Sequence, residues 1–123
     1  MIGYVTVGTN DIQRAARFYD QLFAELGAKR IMDMERFVAW SNQPSGFPGL
    51  AVAVPYDGKK ATVGNGVMVA LAADSKARVD AIYAKALELG GTDEGKPGPR
   101  GDGFYAAYFR DLDGNKLNAY FIG

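Results

Sequence analysis

The chain contains no cysteine and no histidine. The first absence excludes disulfides, thiol nucleophiles and thiolate metal sites together. The second removes the usual general base near neutral pH and the commonest side-chain ligand for zinc, iron or nickel. No apolar run approaches the roughly 20 residues that a membrane-spanning helix needs. The amino terminus enters patterned sequence without the basic-then-apolar order of a secretion signal. A cytoplasmic protein with no membrane partner is therefore expected. Net charge is missing as well: 14 basic residues balance 14 acidic ones and neither sign forms a run. No broad field is available to capture nucleic acid, so no nucleic-acid partner is expected.

What remains is apolar and aromatic. The 123 residues are 48% hydrophobic and 12% aromatic, the length and composition of one domain with a real core. The chain also repeats itself. Tyr4-Val-Thr-Val-Gly-Thr-Asn-Asp, followed by a helical pattern with Arg14, Phe18, Tyr19 and Leu26-Gly27, is echoed by Met68-Val-Ala-Leu-Ala-Ala-Asp-Ser, then Arg78, Ile82, Tyr83 and Leu89-Gly90. A shift of 64 positions carries Arg14 to Arg78 and Tyr19 to Tyr83. The modules span about residues 1–56 and 66–123 of one domain, with Tyr56 to Asn65 as a short polar connection.

Each half reads strand, helix, then short strands. Residues 2 to 8 alternate around Val5, Thr6 and Val7, and Asn10 or Asp11 is placed to cap a helix with the stripe Ile12, Ala15, Ala16, Tyr19, Leu22, Phe23 and Leu26, ended by Gly27. The second helix starts near Asp74 or Ser75, carries Val79, Ile82, Tyr83, Ala86 and Leu87, and stops at Gly90-Gly91. Strand-like runs follow: Arg36 to Trp40 and Leu50 to Val54, then Phe104 to Phe109 and Lys116 to Ile122. Asp111-Leu-Asp-Gly-Asn reads as the hairpin turn before the last run; a calcium loop would carry a carboxylate where Ile122 stands. Lys96 to Gly103, rich in Gly and Pro, reads as a loop. The class is α+β, with two βαβββ modules.

The duplicated order, the Arg-Ala-Ala-Arg-Phe-Tyr-Asp helix and Tyr-Phe-Arg-Asp-Leu-Asp-Gly-Asn-Lys-Leu near the end together resemble the vicinal oxygen chelate superfamily of glyoxalases, bleomycin-resistance proteins and extradiol dioxygenases. The resemblance covers essentially the whole chain. It implies two modules whose sheets enclose a cavity, with a divalent metal there bound from the first and last strands of each module. Carried over position by position, the ligands fall at Tyr4, Ala51, Met68 and Asn118. A phenol, a methyl, a thioether and an amide cannot replace imidazole and carboxylate donors. No metal and no other cofactor is expected.

Strand parity sets Tyr4, Met68, Asn118 and Tyr120 on the cavity side, with Ala51, Ala53, Ala70 and Ala72 leaving room and Trp40 and Tyr108 as further walls. The ligand-binding candidates are thus Tyr4, Trp40, Ala51, Met68, Arg100, Tyr108, Asn118 and Tyr120, for a small organic molecule. Four of them have a plain alternative: Tyr4 as a packing residue, Met68 as filler, Asn118 bonded to a neighbouring backbone, Arg100 solvated rather than clamping an anion. Arg36 and Lys116 share the ambiguity of Arg100. Three functions compete. One is metal-free binding of a small molecule; another is a lyase or isomerase acting through hydrogen bonds, with no catalytic residue assigned and only Asp33, Glu35 and Glu94 as unplaced bases. The last is a filled cavity and a surface role. The family's habits and the many aromatics lead us to expect a homodimer.

Overall fold

The computed structural model describes all residues from Met1 to Gly123. The chain divides into two compact units, Met1–Gly64 and Asn65–Gly123. The first holds β1 (Tyr4–Gly8), α1 (Ile12–Ala24), β2 (Lys29–Met34), β3 (Phe37–Ser41) and β4 (Gly49–Ala53). The second holds β5 (Val69–Ala72), α2 (Lys76–Glu88), β6 (Thr92–Pro99), β7 (Phe104–Arg110) and β8 (Lys116–Ile122). The sheets run β1-β4-β3-β2 and β5-β8-β7-β6. In each, the first strand lies parallel to the last and the other neighbours are antiparallel. The α+β architecture is therefore one βαβββ module written twice.

Capping chemistry fixes where the helices begin. The Asp11 carboxylate accepts from the Arg14 backbone N–H at 3.1 Å, and the Ser75 hydroxyl accepts from that of Arg78 at 3.0 Å; each cap contributes about 1 kcal/mol. Both helices end where the chain enters positive φ, at Gly27 (+68°) and Gly90 (+100°). Asn10 is not the cap. Its amide instead donates to the Ala61 carbonyl at 3.3 Å and accepts from the Ala61 N–H at 2.7 Å. The stretch after β4 is thereby fastened to the first unit.

Two faces follow in each unit. In the first, Trp40 packs on Tyr19 and Phe23 of α1, with ring centroids 5.6 and 5.8 Å apart. Leu50 and Val5 continue its row across the sheet, and Val38, Val52 and Val7 form the next row on the same side. The opposite, open side carries Thr6, Ala51, Ala39 and Met32 in one row. In the second unit, the Tyr105 hydroxyl donates to Asp80 of α2 at 2.7 Å, which marks the helix side. Phe109, Leu117 and Val69 share that side, as do Ala107, Ala119 and Leu71. Its open side carries the rows Tyr108, Asn118, Ala70 and Ala106, Tyr120, Ala72.

One expectation needs correction. Lys96 to Pro99, read as loop, belongs to β6, and only the next residues turn. A strand at the edge of a sheet has one side free of partners, so it tolerates Pro97, Pro99 and the irregular pairing around Gly95. Asp111 organises the β7–β8 turn as expected: its Oδ1 accepts from the N–H groups of Asp113 and Asn115, each at 2.9 Å. No helix is long and apolar enough to cross a membrane.

Candidate functional site

On the open face of the first unit, Tyr4 stands at the start of β1 with 55% of its surface exposed. Its ring meets Phe37 edge-on and Phe47 at a tilt, both with centroids 6.2 Å away. Met32, Met34 and Ala39 add to the walls of a pocket of about 300 Å³, at the lower end of the range for small-molecule sites. A β-bulge between Arg30 and Met32 shifts the register of β2. An extra residue at such a bulge breaks strict alternation, so Ile31 lines the pocket beside Met32. Alternation of Met32 and Met34 around Asp33 was the available signal for these walls; Phe37 and Ala39 lie in a run apolar at every position, and Phe47, in the loop before β4, gave none.

A larger depression of about 790 Å³ lies between α1 and the β2–β3 hairpin, edged by Arg17, Asp33, Glu35 and Arg36. Size alone would favour it. Its polar rim and breadth suit solvent, whereas the Tyr4 pocket has the aromatic walls that hold an organic body.

Trp40 is a correction. Its indole is 1% exposed on the helix side and its N–H donates to Asp20 at 2.8 Å, so it braces the module and does not face the pocket. Asp20 also accepts from Arg30 Nε at 2.9 Å and Nη2 at 2.7 Å. The guanidinium, chiefly through hydrogen bonding, holds the Asp20 carboxyl below its ordinary value, assisted by the indole and opposed by burial. Ala51 does lie on the open side, between Thr6 and Ala39, but it is fully buried and offers no surface of its own.

On the open face of the second unit, Asn118 is 2% exposed and its Oδ1 has no hydrogen-bond partner. Tyr108 is its cross-strand neighbour on β7, and Tyr120 stacks on Phe104 with centroids 5.6 Å apart and planes 3° from parallel. Arg100 and Lys116 each lie over the Tyr108 ring, at 5.5 and 5.6 Å from its centroid. Met68 immediately precedes β5 and is half-exposed. The face therefore brings Arg100, Tyr108, Asn118 and Tyr120 together. The unplaced acids are elsewhere: Asp33 pairs with Arg30 at 3.1 Å, Glu94 pairs with Arg110, and Glu35 is exposed in the β2–β3 turn.

The donor set that the sequence resemblance marks for a metal does not fit one. Tyr4 is engaged by two aromatic rings, Ala51 is a buried methyl, and Asn118 and Met68 supply an amide and a thioether. Nor do any three carboxylates converge elsewhere in a way that could hold an ion.

Known proteins place this architecture. The Glyoxalase/Bleomycin resistance protein/Dioxygenase superfamily matches residues 1–119. A glyoxalase/bleomycin resistance protein from Albidiferax ferrireducens is 37% identical over 95% of this chain and 94% of its own, with a TM-score of 0.86. Two more distant structures share the fold. Lactoylglutathione lyase from Agrobacterium tumefaciens is 21% identical, covering 98% of this chain and 92% of its own, with a TM-score of 0.70. The fosfomycin resistance protein from Mesorhizobium loti is 20% identical, covering 100% and 92%, with a TM-score of 0.71. No curated protein matches the chain. The family match over nearly the full length and the 37% identical relative, on a duplicated βαβββ frame, together show that the chain belongs to the glyoxalase/bleomycin-resistance/dioxygenase superfamily.

Proposed function

We propose that the protein binds a small organic molecule on the open faces of its modules and needs no metal to do so. The observation that carries this reading is the Tyr4 pocket, whose aromatic and methionine walls suit an apolar or aromatic body of modest size. Tyr4, with Phe37 and Phe47, contacts that body. In the second module Asn118, Tyr108, Tyr120 and Arg100 are the ligand-contacting residues, with Met68 at the margin. The ill-fitting donor set at Tyr4, Ala51, Met68 and Asn118 supports metal independence through the chemistry of those side chains.

The alternative is a lyase or isomerase that replaces chelation with hydrogen bonds, and the orphaned Asn118 Oδ1 is the feature favouring it. Binding is preferred because Asp33 and Glu94 are paired with arginines and Glu35 is exposed in the β2–β3 turn, leaving no placed base. A cytoplasmic homodimer completes the proposal, the dimer being supported by large apolar side chains left exposed on and beside β2, among them Met32, Met34 and Phe47.

Indole serves as a neutral aromatic probe, read by thermal shift. At a hundred times its dissociation constant it should add about 2.7 kcal/mol to stability. Tyr4→Ala and Phe47→Ala should each abolish most of that gain while remaining folded. Equal gains in wild type and both variants would remove the pocket from the proposal.

A further inference from the structure

We propose that the open face of the second module recognises an organic anion that also carries a hydrogen-bond donor, the anion drawn to the cations that flank the Tyr108 ring, Arg100 and Lys116, and the donor received by Asn118. The inference rests on the small-molecule reading above and names the class of ligand. A buried amide oxygen without a partner loses its hydration and gains nothing in return, so its natural complement is an N–H or O–H brought by something not part of the chain. Asn118 sits on β8 two positions from Lys116, and Tyr108 lies across from it on β7. The acceptor and the cations therefore share one face of the sheet, with Lys116 and Asn118 on the β8 flank of Tyr108 and Arg100 on its β6 flank.

The two cations are uncompensated. Arg100 Nη2 donates to the Lys96 carbonyl at 2.6 Å and Nη1 to the Pro99 carbonyl at 3.4 Å, both in its own segment, and no carboxylate pairs with Arg100 or Lys116. Arg110, the cross-strand neighbour of Lys116, is by contrast neutralised by Glu94. The guanidinium also has a prepared seat. A Cβ at Gly95 would lie 3.3 Å from Nη2 and 3.1 Å from the Tyr108 ring, and one at Gly98 would lie 3.2 Å from Nη1. Glycine at these positions leaves the guanidinium room against the ring, where it keeps further N–H donors for a carboxylate or phosphate. A ring-packed arginine loses less conformational freedom when it closes on an anion than a solvated one does.

Hippurate carries an aromatic ring, an amide N–H and a carboxylate; hippuramide is its neutral counterpart. Titration of the labelled protein, followed by backbone and Asn118 side-chain amide shifts, separates the contributions. Hippurate should bind at least about tenfold more tightly than hippuramide, and the preference should shrink as salt is raised. Arg100→Gln and Lys116→Gln should each erode the preference, with backbone spectra otherwise retained. Asn118→Leu should weaken both compounds while leaving their ratio unchanged. Equal binding of the two compounds, or a preference untouched by both cation variants, overturns the anion assignment and leaves the broader reading standing. Binding of neither overturns it too, and the separate indole experiment at the Tyr4 pocket then decides whether the small-molecule reading survives.

Discussion

Asn118 sets stability against recognition at a single side chain. Its buried Oδ1 lacks a partner, and an unsatisfied buried polar group costs about 1–3 kcal/mol. Leucine shares the branch at Cγ and has no polar atom but is bulkier. In Asn118→Leu the relief of the orphaned oxygen should therefore offset the added volume, moving the midpoint of chemical denaturation by less than about 1 kcal/mol of stability while weakening ligand. A loss above about 1 kcal/mol would show that the amide is a structural group. The residue was legible in the sequence because an amide in a half-buried strand is conspicuous against Leu117 and Ala119. Trp40 was not. Its strand reads Phe-Val-Ala-Trp, apolar at every position, so a period of two carries no phase to say which side faces the helix. Only its contacts with Tyr19 and Asp20 decide that.

Among the elements, Asp20 joins α1 to β2 through Arg30 and to β3 through Trp40. Its carboxyl titrates below the ordinary 3.8 in the folded protein. Its contribution is therefore present above about pH 3.8 and is lost as pH falls through the depressed value. Asp20→Asn should lower the melting temperature at neutral pH and flatten the acid limb of the stability curve; an unchanged limb would assign acid lability to other carboxylates. The exposure of this pair keeps the effect modest. Of the strands, β8 was legible from Lys116 to Ile122 because Asp111-Leu-Asp-Gly-Asn fixes its start. The edge strands β2 and β6 were not placed: Lys29 to Met34 is exposed throughout, and Thr92 to Pro99 contains two glycines and two prolines. Edge pairing is imposed by the neighbouring strand more than by local propensity.

At the scale of the whole molecule, the duplication and the family were legible because the repeat runs without a gap from each first strand through its helix. The lining of the Tyr4 pocket was only partly so, since Phe47 reaches it from a loop with no periodic signal. We expect the two units to unfold together as one domain, giving a single calorimetric transition whose van't Hoff and calorimetric enthalpies agree; two separated transitions would make them independent domains. A homodimer should give twice the 13.2 kDa chain mass in light scattering at micromolar concentration, and a monomeric mass would end that part of the proposal. The central claim, recognition of a small molecule without a metal, is tested most directly by titrating indole into the protein in excess chelator and again with added zinc, nickel or manganese. The account predicts one dissociation constant, sensitive to Tyr4→Ala, under all these conditions. Binding that vanishes in chelator and returns stoichiometrically with a divalent ion would contradict it.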